Sequence, residues 1–514
     1  MLKALRVRSV VAVACSVVAG SALVGVASSA AAAGGSDTIS TVATSLGSPL
    51  SAVFDSHGNV VFADQNNNVI RVAAAVNGTF YGHAMTAGHL YTIIGNGVDG
   101  DMGDGTSNLA AAEFSGPSAV AIDAQGDIVI TDSGNDAVRM MSATTGPRFG
   151  QELTAGELFT IAGGGQEGDI TPGGSVFSAG LTGPDGVAFD AQGDIIVADT
   201  GNDLVRIIPA VARTVFGMAV QPGHIYTIAG NMNYGYTGNG GPGPAAQLQL
   251  NTFDGVAVDA KGDVIFSDVD NQVVRLIAAS TGTSLGHVVK AGDIYTIAGT
   301  GTEGLKGNKK PATAAWLDTP QGVAVDAAGN LFISDSLNNV IRFVPAVKEK
   351  YDGMAVKAGD IYTIAGNGST GFSGNGGLAT AATLNGPAGV SIGPSGRLLV
   401  ADNGNNAIRE ITGTVPPPPS VRAVKPASGP TSGDRKVTIV GAGLSGVTTV
   451  MFGSRPALSF TVRSAKKIIA YSPAATLGKV TVRVISATGA NAVSPVDSYT
   501  YMAGAAAKKH GHRR

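Results

Sequence analysis

The chain has 514 residues, of which 44% are hydrophobic and only 14% charged, and it carries 74 glycines. Glycine at that frequency, without a collagen period or a long Gly/Ser run, suits many short strands joined by tight turns rather than helical bundles or disorder. The formal charge is −3, but Lys3, Arg6 and Arg8 at one end and Lys508, Lys509, Arg513 and Arg514 at the other leave residues 9–507 at −10, which argues against a nucleic-acid groove.

Residues 1–33 read as a signal peptide. The basic start precedes an apolar stretch from Val10 to Val26, and Ala31-Ala32-Ala33 before Gly34 fits a small-residue cleavage site. The one cysteine, Cys15, lies inside that stretch, too early for a lipoprotein site. The expected mature chain therefore has no thiol and no membrane span, and its stability must come from packing.

From Thr38 onward one cassette dominates. Its clearest form is Gly186-Val-Ala-Phe-Asp190-Ala-Gln-Gly193-Asp-Ile-Ile-Val-Ala-Asp199-Thr-Gly-Asn202-Asp-Leu-Val-Arg206. The Asp-x-x-Asn-x-x-x-Arg core recurs at Asp64/Asn67/Arg71, Asp132/Asn135/Arg139, Asp199/Asn202/Arg206, Asp268/Asn271/Arg275, Asp335/Asn338/Arg342 and Asp402/Asn405/Arg409. Successive Asp residues are 68, 67, 69, 67 and 67 positions apart, the mark of an array of supersecondary units. Each cassette holds three short β-branched runs separated by two tight turns. A fourth run follows in five units, such as Ile225-Tyr-Thr-Ile-Ala-Gly230. The missing sixth copy stands before the first cassette, at Thr38–Ala43. Six units of four strands, permuted by one strand, predict a ring in which the N-terminal strand completes the last sheet and leaves no open edge.

Pro416–Pro419 marks a stiff spacer, after which the cassette disappears. Residues 420–502 offer about seven short β-runs with turn signals, the pattern of a small sandwich. The basic tail Lys508-Lys-His-Gly-His-Arg-Arg514 reads as a solvated terminus.

The Gly-Val-Ala-Val-Asp-x-x-Gly, Ala-Asp-x-x-Asn and Val-Arg pattern resembles NHL repeats over about residues 38–412. Cassettes one and six depart from it, because Leu50-Ser-Ala-Val-Phe lacks the leading Gly and Gly393 replaces the strand-ending Asp. Pro426-Ala-Ser-Gly-Pro-Thr-Ser-Gly433, Phe452-Gly453, Pro473 and Tyr499/Tyr501 resemble an IPT/TIG domain. The expected all-β chain is thus a signal peptide (1–33), a six-bladed β-propeller closed by an N-terminal strand (34–413), a Pro-rich linker (414–420), an immunoglobulin-like β-sandwich (421–502) and a basic disordered tail (503–514). The resemblance implies a bacterial secreted type.

No catalytic centre is legible. The Asp-x-x-Asn turns occur identically in all six units, which points to a fold requirement rather than chemistry. The Asp-Ala-x-Gly turns, among them Asp123/Gly126 and Asp259/Gly262, read as hairpin turns. Five histidines in the body show no metal-ligand spacing, and neither a phosphate loop nor a Gly-x-Ser-x-Gly elbow is present. No metal and no cofactor are therefore assigned. The Gly-rich segments after each fourth strand are long for a compact domain and mark the expected ligand face, which they share with the Asp-x-x-Asn turns. Its candidate residues are Asp99, Asp101, Asp104, Asn239 and Asn375. Both resemblances imply an interaction role: a secreted, non-enzymatic scaffold at the cell envelope that binds a protein, peptide or glycan. The alternative is a lyase or hydrolase in the central channel, which requires an asymmetric polar cluster on one face.

Overall fold

The computed structural model describes residues 37–412 and 419–503, apart from 164–172, 252, 352–353, 394–395, 443, 445–446, 465, 487–488 and 491–494. The signal peptide, linker residues 414–418 and tail residues 504–514 lie outside the described residues. Among the described residues every helix is a three-residue 3-10 turn, so no helix is long and apolar enough to cross a membrane.

Six antiparallel sheets carry the cassettes. Blade three is typical: Pro184–Phe189, Ile195–Asp199, Leu204–Ile208 and His224–Ala229 run from the innermost to the outermost strand. The innermost strands neighbour one another in chain order, and Pro387–Ile392 of blade six lies against Pro49–Phe54 of blade one, so the ring is closed. The fourth strand of blade six is Thr38–Ala43, which pairs antiparallel with Ala407–Thr412 through Thr38↔Thr412 to Ala43↔Ile408. This strand buries Ile39, Val42 and Ala43. Together with the ladder hydrogen bonds, that burial explains why the ring closes through the N-terminal segment.

Two features are absent from the sequence reading. Five blades insert a two-stranded hairpin between their third and fourth strands, for example Arg213–Val215 with Met218–Val220. Four blades also gain a two-residue edge strand from the incoming loop, such as Gly174–Ser175 on His224–Ala229. These strands of two or three residues are too short to show a period.

The apolar cores lie between blades. Ile196, Val205 and Ile207 of blade three, for instance, pack with Val264, Phe266 and Ile277 of blade four. The leading glycine of the cassette follows from convergence at the axis. A Cβ on Gly186, Gly322 or Gly389 would collide with a backbone carbonyl of the next blade, that of Asp254, Ala388 or Leu50 respectively. The two atypical cassettes compensate each other at the seam: a Cβ on Gly393 would strike the Phe54 ring. Arg397 covers the same ring, its guanidinium carbon 4.3 Å from the centroid.

The C-terminal unit packs two sheets, one containing Ser420–Lys425 and Lys436–Ala442, the other Val447–Phe452, Gly478–Ser486 and Ser498–Met502. Val437, Ile439, Ile468, Val482 and Val484 fill its core. Tyr499 meets Phe452 and Tyr501 edge-on, with centroids 5.1 Å apart in both pairs.

Candidate functional site

Each repeated Asp sits at the end of a second strand, where the chain turns sharply. In blade four, Asp268 Oδ1 accepts the Gln249 amide (2.9 Å) and Asn271 Nδ2 (2.8 Å). Its Oδ2 accepts Arg275 Nη1 (3.1 Å), and both side chains are fully buried. Asn271 Nδ2 also donates to the Gly235 carbonyl, and Arg275 Nη2 to the Thr237 carbonyl (3.0 Å), which ties the Gly-rich loop to the turn. The same Asn-to-loop bond recurs from Asn135 to Gly100, Asn338 to Gly304 and Asn405 to Gly371. The Asp, Asn and Arg therefore act as one internal latch. Burial pushes Asp132, Asp199, Asp268 and Asp335 up to about 6, opposed in each by the arginine and by donated hydrogen bonds.

The residue after each repeated Asn carries a function that the sequence pattern does not reveal. It is always Asn, Asp or Gln, and it adopts a left-handed conformation: Asn68, Asp136, Asp203, Gln272, Asn339 and Asn406. Its side chain accepts a backbone amide from the next blade, from Asn68 with Gly116 round to Asn339 with Gly386. Asn406 accepts Ser48 N–H (3.0 Å) across the seam. Two demands meet at this position, a positive φ and an acceptor, and Asn and Asp satisfy both at low cost.

The candidate loop residues separate into two groups. Asp104 pairs with Arg139 Nη2 (3.0 Å) and accepts the Thr160 amide of blade two (3.0 Å). Asn239 accepts the Thr296 amide of blade four (2.7 Å), and Asn375 forms a parallel bridge with Ile39 in the closing strand. These three side chains or their backbones staple the loop to the outer strand of the next blade. Asp99 and Asp101 are exposed. Among the described residues no three His, Cys, Asp or Glu side chains are placed to hold a metal, so the Asp99–Asp104 loop does not form such a cluster. Two loop aromatics cap buried guanidiniums: Tyr236 over Arg275 (5.2 Å) and Phe372 over Arg409 (4.8 Å). Val98, Met102, Met232, Tyr234 and Leu305 on the loops, and Leu337 in a turn, are exposed.

The central channel has a cavity of about 280 Å³, lined by innermost-strand residues such as Ala121, Val187, Val256, Val323 and Val390. Symmetry breaks at the start of those strands, where the residue before the leading Gly is Asp185 in blade three and Asp254 in blade four, but Ala388 in blade six. Asp254 is fully buried, which pushes its carboxyl well up, and the nearby Asp185 adds to the shift. Ser133 donates to Asp185 Oδ1 (3.1 Å), and Ser118 to the Asp185 carbonyl (3.0 Å). The opposite face opens into a cavity of about 650 Å³ rimmed by Asp123, Asp190, Asp259 and Asp326 from the Asp-Ala-x-Gly turns.

The profile of the NHL repeat matches residues 181–208, that of the Teneurin NHL domain residues 300–412, and that of the IPT/TIG domain residues 419–501. The chain is an NHL-repeat propeller with an IPT/TIG domain. Among curated proteins, Protein SUPPRESSOR OF QUENCHING 1, chloroplastic, of Arabidopsis thaliana is 24% identical over 368 residues, or 68% of this chain. The match spans only 31% of that relative's length. Similar solved structures include a Bacteroides thetaiotaomicron protein of unknown function (14% identity, 74% of this chain and 72% of that one, TM-score 0.46). An auxiliary nutrient binding protein from the same organism has 12% identity, coverage of 73% and 72%, and a TM-score of 0.44. A streptogramin B lyase has 13% identity, coverage of 74% and 97%, and a TM-score of 0.39.

Proposed function

We propose that this NHL propeller is a secreted, non-enzymatic binding protein that presents its loop face to a protein, peptide or glycan at the cell envelope. One observation carries the reading. The repeated Asp, Asn and Arg of the latch are engaged inside the fold, whereas large apolar side chains stand out on the loops and turns of that face. Met102 and Tyr234 are each 64% exposed and Leu337 is 63% exposed. Exposed apolar groups rimmed by polar loop backbone are a common mark of an interaction surface. The channel supports this reading from the other side, because its wall is made largely of small aliphatic side chains.

The test compares the full mature chain with a Met102→Asp/Tyr234→Asp/Leu337→Asp variant for retention of cell-envelope proteins and for binding to peptide and glycan arrays. Retention by the wild type and its loss in a variant of unchanged melting temperature supports the proposal. Equal retention by both rejects the loop face.

A second reading, a lyase or hydrolase acting in the channel, is favoured by the asymmetric Asp185/Asp254 pair. Its weakness is that Asp254 has no exposed surface. Turnover that disappears in Asp254→Asn would select it.

A further inference from the structure

The Asp-Ala-x-Gly turns face the wide cavity, and each begins with a carboxylate followed four residues later by a second polar group. Five blades resolve this position within themselves. In blade one, Asn59 Nδ2 (2.8 Å) and Tyr81 Oη (3.0 Å) donate to Asp55 Oδ2. In blade two, Arg148 from the hairpin pairs with both Asp123 and Asp127, and in blade three Arg213 pairs with both Asp190 and Asp194. In blade five, Asn330 Nδ2 donates to Asp326 Oδ2 (2.9 Å). In blade six, glycine replaces the acid, and Arg397 pairs with Glu410 (3.2 Å).

Blade four keeps both acids, Asp259 and Asp263, and its hairpin carries no arginine to pair with them. The hairpin register places Ser284 where blade two has Arg148: Ser284 pairs with His287 as Arg148 pairs with Gln151. Asp263 is 1% exposed and Ser284 2% exposed. Asp263 Oδ2 and Ser284 Oγ are buried without a hydrogen-bond partner. Asp259 accepts the amides of Lys261 (2.8 Å) and Asp263 (2.9 Å) through Oδ1, so its turn hydrogen bonds occupy one carboxylate oxygen. Lys261 does not close the gap, because its Nζ donates to the Thr283 carbonyl (2.6 Å). A buried carboxylate, Asp263, beside a second, half-buried one, Asp259, is costly without a counter-charge in contact. Burial and the charge of Asp263 raise the Asp259 carboxyl, opposed in part by the two amide bonds and by the charge of Lys261.

We propose that blade four binds a hard divalent cation, Ca²⁺ in the first instance, between Asp259 Oδ2, Asp263 Oδ2 and Ser284 Oγ, where blades two and three hold a guanidinium. All three donors are oxygens, as a hard cation requires, and water completes the shell. A small ion suits the place better than the side chain of a partner, because two of the three oxygens are sealed from solvent.

The chain itself supplies the control variants. Ser284→Arg copies blade two, and Asp263→Asn copies blades one and five, so both substitutions have a folded precedent. The full chain is stripped with EDTA, then titrated calorimetrically with CaCl₂ and melted with and without the ion. The expected result is saturable binding with a Kd of about 0.1–1 mM, the range of extracellular sites with few protein ligands, and a raised melting temperature. Both variants should lose the binding and melt at one temperature regardless of Ca²⁺. Absence of any Ca²⁺ effect on the wild type overturns the proposal, as does an effect that survives in Asp263→Asn. Saturable, Asp263-dependent binding of arginine amide where CaCl₂ gives none would assign the position to a partner's guanidinium and overturn the metal.

Discussion

Arg275→Met tests whether the repeated Asp–Arg pair holds the propeller together. Arg275 and Asp268 are both fully buried, with Nη1 to Oδ2 at 3.1 Å. The substitution removes that bond and the one to the Thr237 carbonyl, and it strands a carboxylate in the interior. Breaking one side of a buried pair costs about 3–5 kcal/mol, because the remaining charge loses its compensation. Arg71→Met is the internal comparison. Its pair with Asp64 is as short (2.9 Å), yet the Arg71 side chain is 23% exposed, so water screens what is left. A cost of about 1–2 kcal/mol follows there, between the values for exposed and buried pairs. Urea denaturation followed by circular dichroism measures both, with the urea slope checked for constancy. Equal costs, or a cost below about 1 kcal/mol for Arg275→Met, would refute the argument that desolvation makes the pair indispensable.

Two further expectations follow from the same structure. Burial raises Asp132, Asp199, Asp268 and Asp335 to about 6 from 3.8, so between those values the folded chain binds more protons than the unfolded one. The contribution of these groups to stability therefore rises as pH falls from about 7 towards 4; calorimetric melts should show a higher melting temperature near pH 5.5 than near pH 7, and a steady fall would contradict it. Gly393→Asp, which restores the repeat consensus, should destabilise the seam by about 1–3 kcal/mol through overpacking against Phe54. Adding Phe54→Val should recover most of that loss in a thermal melt, and failure of the rescue would show that the two atypical cassettes are not coupled.

The regular Asp-to-Asp spacing and the β-branched runs made the blades legible, since strand, turn and repeat are local properties. The displaced copy at Thr38–Ala43 was legible too, because it repeats the fourth-strand pattern outside its unit. The acceptor after each repeated Asn was equally visible in the sequence, but its purpose lies in the next blade. Only the folded ring shows Asn406 reaching Ser48. Asp104 and Asn239 look like free loop polars in one dimension and turn out to staple blades, because their partners Arg139, Thr160 and Thr296 lie 35 to 57 residues away. The bare carboxylate pair of blade four is likewise invisible without coordinates. The local motif Asp259-x-x-x-Asp263 matches that of blades two and three, and what differs is whether an arginine from the distant hairpin arrives. The repeat itself settled which groups recur in each blade, and three-dimensional closure settled which of them are satisfied, because hydrogen bonding and charge compensation depend on neighbours in space rather than in sequence.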